Sequence, residues 1–222
     1  MPQTYLVTGA SRGIGAELVR QLAARGDRPL ATLRPPAPHP PGAARTLPLE
    51  VSDQTSIDAL ARALEGTPLD VLINNAGVSS QSATLALTTA EELARCFAIN
   101  ATSPVIVAKA LLPALRAGSR RLIVNVSTQL ASIANNSGGS SYAYRASKTA
   151  LNQLTVCMAN ELRTEGFTVV AMHPGWVKTD MGGPKAPLSP EQAVGHILAT
   201  IDRLTPADSG RFLNYDGAPM PW

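Results

Sequence analysis

Short apolar runs alternate with longer amphipathic stretches along all 222 residues, and this alternation constrains the fold more than any other feature. TYLVTG, RPLATL, RTLPLEV, LDVLINN, RRLIVNVS, FTVVAMH and GRFLNY read as strands. Amphipathic stretches lie between them at Ile14 to Arg25, Ser56 to Leu64, Glu91 to Leu115, Tyr144 to Glu165 and Glu191 to Leu204. Such a pattern argues for an α/β fold, a parallel sheet covered by helices on both faces. Runs like LIVNV suit strands buried on both sides. Thr55 or Ser56 is placed to open the second helix, and Ser189-Pro190-Glu191 to open the last.

Prolines crowd residues 35–48, leaving a stiff loop with a helical turn at most. The segments on either side complete one βαβ pattern, so this is not an interdomain linker. The length and the 45% hydrophobic fraction suit a single domain over 1–222.

The first strand runs into Thr8-Gly9-Ala10-Ser11-Arg12-Gly13-Ile14-Gly15, a TGxxxGxG turn. Gly9 permits the sharp exit from the strand, Gly13 lets the backbone approach a pyrophosphate, and Gly15 allows close helix packing. The helix start then offers N–H groups and a positive dipole end to phosphates. An NAD-preferring site carries an acid about 20 residues on, to hold the ribose 2′-OH. Here the second strand ends Leu33-Arg34-Pro35. Arg34, joined by Arg12, suits a 2′-phosphate, so NADP(H) is expected over NAD, with NAD still possible.

These residues, with Asn74-Asn75-Ala76-Gly77, Asn100, Tyr144-Arg-Ala-Ser-Lys148 and Pro174-Gly175 in that order, resemble the short-chain dehydrogenases/reductases. MHPGWVKTDMGG and the end GRFLNYDGAPMPW resemble the sniffer and C-factor type of carbonyl reductase. The resemblance implies a Rossmann-like, doubly wound seven-stranded sheet and an NAD(P)-dependent oxidoreductase. It implies cofactor contacts from Asn74 to Gly77, from Pro174 and Gly175 beside the nicotinamide, and from Val177 and Thr179. Glu50-Val51 stands where the family often has Asp-Val beside the adenine.

Tyr144 and Lys148 are spaced i, i+4, hence on one helix face. A neighbouring ammonium favours phenolate over the usual pKa of about 10. Tyr144 can then exchange a proton with a substrate oxygen. Lys148 also resembles the lysine that holds the nicotinamide ribose. Asn125-Val126-Ser127-Thr128 corresponds to the family's Asn-x-Ser-Ser. Thr128 matches the active second serine; if the strand is still regular there, side-chain alternation lets only one of Ser127 and Thr128 face the substrate. Asn100 matches the asparagine that bends its helix and holds a water leading to the lysine. Gln129 to Ser141 is expected as a loop over the substrate, with Gln129, Trp176 and Met181 lining the pocket.

The substrate expected is a small neutral or apolar ketone, aldehyde or alcohol. An NAD(P)-binding sensing or signalling protein is the alternative. Scattered Lys and Arg with net charge +3 and 4% aromatics argue against nucleic acid. The longest apolar runs fall far short of the roughly 20 residues of a membrane span. No signal-peptide pattern is evident, and two isolated cysteines suit a reducing compartment, so the cytoplasm is expected. The three histidines lack metal-ligand spacing. The resemblance implies a homodimer or homotetramer built through the helices at 88–116 and 144–165.

Overall fold

The computed structural model describes residues 2–222. Strands β1 (Thr4–Val7), β2 (Arg28–Leu33), β3 (Arg45–Pro48), β4 (Val71–Asn74), β5 (Leu122–Val126), β6 (Thr168–His173) and β7 (Phe212–Asn214) form a parallel seven-stranded sheet. Their order is β3-β2-β1-β4-β5-β6-β7, the doubly wound Rossmann-like arrangement. The helices are α1 (Gly13–Ala24), α2 (Gln54–Ala63), α3 (Ala90–Phe97), α4 (Ser103–Ala117), α5 (Tyr142–Glu161) and α6 (Pro190–Arg203).

Period-two alternation divides each strand between two cores. Tyr5, Val7, Val71, Ile73, Val170 and Met172 pack with Leu18, Val19 and Leu22 of α1 and Val194, Ile197 and Ile201 of α6. Leu6, Leu72, Ile123 and Val169 pack on the other face with Ile57 and Leu60 of α2, Leu111 and Leu115 of α4, and Met158 and Ala159 of α5. Both faces are apolar, so the strands read as nearly continuous hydrophobic runs.

No helix forms between β2 and β3, as the prolines foretold. Gly42, at φ +87°, brings that connection against α1, where a Cβ would lie 2.8 Å from Ala23 Cβ. Ala43 then packs on the core in place of a helix.

Several boundaries differ from expectation. Asp53, not Thr55 or Ser56, caps α2, its carboxylate accepting from Thr55 N. Ser56 Oγ instead accepts from Glu50 N at 2.9 Å. Ser189 does cap α6, in a reciprocal box with Gln192. α5 begins at Tyr142, two residues before Tyr144. The strand seen in RTLPLEV closes at Pro48, leaving Glu50 and Val51 beyond it.

The stretch from Glu91 to Leu115 forms two helices joined by a π turn, Ala98–Thr102. Pro104 has no N–H for the i→i+4 bond to Asn100 O, so the regular ladder fails at that residue. The composite helix Ala90–Ala117 spans 28 residues and is long and apolar enough to cross a membrane by length and composition. Counting unbroken apolar runs misses this, because its apolar residues are interspersed. Here Val107, Ala108, Leu111 and Leu115 pack against the sheet and α2.

Candidate active site

The chain leaves β1 toward β2 on one side and β4 on the other, and the strand order reverses at β1. Ligand clefts form outside the carboxyl ends of strands at such a point. A cleft of about 470 Å³ opens there.

The glycine turn forms its floor. Gly9 (φ +66°) and Gly13 (φ +55°) take the left-handed conformation that glycine alone adopts without strain. A Cβ on Gly9 would lie 2.9 Å from Ala76 Cα, and one on Gly15 would strike the Gly9 carbonyl oxygen. Thr8 Oγ1 accepts from Asn75 N and Ala76 N, both at 3.0 Å, and Asn75 Nδ2 donates to Thr8 O at 2.8 Å. The ends of β1 and β4 are thereby fastened into one wall.

α1 starts without a cap. Its N-cap residue, Arg12, makes no capping bond, and no acid stands in the first turn. The first N–H groups of a helix have no partner within it. An anionic phosphate at this helix end supplies the missing acceptor, so the residues present fit a dinucleotide. Ser11, Arg12, Ile14, Arg34, Glu50, Val51, Asn75, Ala76, Gly77, Pro174 and Thr179 all line the cleft.

The proton-transfer candidates meet at its inner end. Tyr144 and Lys148 follow one another on α5 and both reach the cleft. Thr128 lies just behind the lining, where its hydroxyl accepts from Leu130 N at 3.3 Å and draws the Tyr144 phenol pKa downward. Ser127 also touches the cleft, but its hydroxyl donates to Asn152 Oδ1 at 2.6 Å, toward α5. Lys148 Nζ donates to Val126 O at 2.6 Å. A Cβ on Gly77 would lie 3.6 Å from Lys148 Nζ and 3.2 Å from Asn100 Oδ1, so only glycine leaves these groups room. Asn100 is fully buried; Oδ1 accepts from Val78 N at 2.8 Å, while Nδ2 donates to Val78 O and Ser147 Oγ.

The family model for short chain dehydrogenases matches residues 3–187. The chain belongs to the short chain dehydrogenase family. It is an oxidoreductase of that family. It is 48% identical over 155 residues to the C-signal protein of Myxococcus xanthus, covering 70% of this chain and 93% of that one. The carbonyl reductase Sniffer of Drosophila melanogaster superposes with a TM-score of 0.92 at 33% identity, over 100% of both chains. The NADPH-bound carbonyl reductase from chicken fatty liver gives a TM-score of 0.92 at 35% identity, over 100% of this chain and 99% of that one.

Not every expected residue of this short chain dehydrogenase lines the cleft. Asn74 is buried behind it, donating to Asn125 Oδ1 at 2.9 Å and to Pro104 O at 3.3 Å. Asn125 passes the chain on to Thr155 and so ties β4, β5, α4 and α5 together. Gly175, at φ +85°, shapes the turn after β6, where a Cβ would meet the Leu188 side chain. Val177 is buried and bridges to Leu188. Met181 borders the cleft, whereas Gln129 and Trp176 are exposed outside its lining. Trp176 Nε1 donates to Gly182 O at 2.7 Å.

The expected easing of Tyr144 toward phenolate is not found. Burial is the largest influence and pushes the phenol pKa up, the nearby Thr128 hydroxyl opposing it. Burial also lowers the Lys148 pKa to about 8, which weakens its hold on a positive charge. Thr8, Val78, Ser147, Lys178 and Asp180 also build or border the site. Thr8, Ser147, Lys178 and Asp180 sat inside the quoted motifs and were legible by position; Val78 joins the site only through folding.

Proposed function

We propose that the chain reduces a ketone or aldehyde to an alcohol with NADPH, and runs the reverse oxidation when the alcohol and NADP are supplied. The meeting of Tyr144 and Lys148 in one cleft with the uncapped glycine turn, with the Thr128 hydroxyl acting on the phenol, carries this reading. Held by the glycine turn, NADPH would supply a hydride for the carbonyl carbon. Tyr144 gives the carbonyl oxygen its proton, and its raised pKa keeps it in the protonated form that donation requires. Thr128 holds the same oxygen by a hydrogen bond. Lys148 holds the ribose hydroxyls, and Asn100 fixes the Val78 backbone against α5 behind it.

Arg12 and Arg34 at the cleft mouth, with no acid ending β2, support the 2′-phosphate form of the cofactor. The NADPH-bound chicken liver enzyme supports the same choice. The substrate end has exposed Met181 and Trp176 nearby, which favours small neutral or apolar compounds. Assembly as a dimer or tetramer through α3–α4 and α5 belongs to this reading.

NADPH absorbance followed with a panel of neutral aldehydes and ketones tests it. Tyr144→Phe should lower kcat by about 10²–10⁴-fold while leaving NADPH binding in place. The C-signal relative favours a second reading, a cofactor-binding signalling protein. Tight NADPH binding with no turnover across the panel would favour that one.

A further inference from the structure

Each arginine expected to read a 2′-phosphate already faces a carboxylate. Arg34 Nη1 lies 3.7 Å from Glu50 Oε2, and Arg12 Nη1 lies 2.5 Å from Asp180 Oδ2. The two pairs are not equivalent. Glu50 is tethered by Ser52, whose N and Oγ both donate to it, so its carboxylate stays against the chain. Asp180 accepts a hydrogen bond from Arg12 alone among the described residues, and both side chains are 75% exposed. Among the described residues neither side chain has another hydrogen-bond partner.

The pair spans two separate segments. Arg12 ends the glycine turn, while Asp180 lies in a tight turn after β6. That turn supports itself: Thr179 O accepts from Gly183 N at 2.8 Å, and Thr179 Oγ1 from Gly182 N at 3.1 Å. It also rests directly on the glycine turn, since a Cβ on Gly13 would lie 3.2 Å from Thr179 Cγ2. Asp180 therefore stays beside Arg12 whether or not the two are paired.

We propose that Asp180 is a specificity-determining residue that competes with the cofactor's 2′-phosphate for Arg12. This rests on the NADPH reading above. A phosphate and a carboxylate want the same planar guanidinium donors. Binding NADPH takes Arg12 from Asp180, at the cost of the ion pair. NADH carries a neutral hydroxyl there and leaves the pair intact. Asp180 thus handicaps NADPH selectively, and the chain prefers it less strongly than its two arginines alone would dictate. Exposed pairs are weak, so the handicap corresponds to about a two- to fivefold change in Kd.

The test measures Kd for NADPH and NADH with the wild type, Asp180→Asn, Arg12→Gln and the double variant at fixed, moderate salt. Asp180→Asn should tighten NADPH about two- to fivefold and leave NADH unchanged. In the Arg12→Gln background the same substitution should change neither. The inference is overturned if Asp180→Asn leaves the NADPH/NADH ratio unmoved or lowers it. It is also overturned if the tightening persists without Arg12, which would mean simple repulsion rather than competition. A wild type that prefers NADPH and loses it in Arg12→Gln, with no response to Asp180→Asn, overturns this inference alone. A wild type without NADPH preference, and with no response to Arg12→Gln, removes the NADPH reading and this inference together.

Discussion

Ser127 and Thr128 are chain neighbours with the same hydroxyl chemistry, and just past the end of β5 they take different partners. Ser127 borders the cleft while its hydroxyl donates to Asn152; the Thr128 hydroxyl accepts from Leu130 N and acts on the Tyr144 phenol. Thr128→Ala should lower kcat by about 10²-fold, the scale of removing one donor from a reacting oxygen. Ser127→Ala should spare kcat and instead lower stability by about 1–3 kcal/mol, because Asn152 Oδ1 loses its donor. Steady-state kinetics beside a denaturation curve separates the two. Lys148 sets a pH limit. Below its pKa of about 8 it is an ammonium with three donors; above it, a neutral amine. NADPH binding should therefore weaken as pH rises through 8, and the bound cofactor should raise the lysine's pKa. Lys148→Met should bind NADPH more weakly and without that inflection. Titrating Kd between pH 6 and roughly pH 9.5 checks the direction, which follows from the lowered lysine value.

Helix ends sort by what is meant to satisfy them. α2, α3 and α6 have Asp53, Thr89 and Ser189 as side-chain caps; α1 and α5 have none, and α4 continues from the π turn. Ser189→Ala should cost about 1 kcal/mol, a fall in Tm of about 2–4 °C for a chain of this size, with cofactor affinity unchanged. Calorimetry with and without NADPH measures both. The period and type of each long helix were legible because burial follows the 3.6-residue repeat. The cap of α2 was not, since Asp53, Thr55 and Ser56 are all good capping types crowded into four positions. Backbone geometry chose Asp53 and gave the Ser56 hydroxyl to the chain before it. The π turn at Asn100 had a local signal, an asparagine followed four residues later by a proline, but two separate helices satisfy that signal equally well.

On the scale of the molecule, the cofactor is expected to hold the sheet's two halves together, because its site is built from β1 with α1 on one side and β4, α5 and the turn after β6 on the other. NADPH at 100 times Kd should add about 2.7 kcal/mol to stability. Arg34→Ala should weaken NADPH about tenfold, the scale of one charge-assisted contact, and leave NADH almost unaffected. Thermal shifts with each cofactor would show the difference directly: the NADPH shift should shrink toward the NADH value. Equal shrinkage of both would mean that Arg34 does not read the 2′-phosphate.

The sequence by itself determined the parallel sheet, the glycine turn, the shortened second crossover and the Tyr144–Lys148 pair. All of these are short-range: periodicity, backbone freedom, proline chemistry and i, i+4 spacing act within a few residues. Only the tertiary structure decided that Asn74 ties strands together behind the cleft, that Ser127 donates to Asn152, and that Asp180 waits beside Arg12, 168 residues away in the chain. Those outcomes depend on which surfaces face each other after packing and on how burial moves a pKa. Neither the spacing of residues nor their types encodes that.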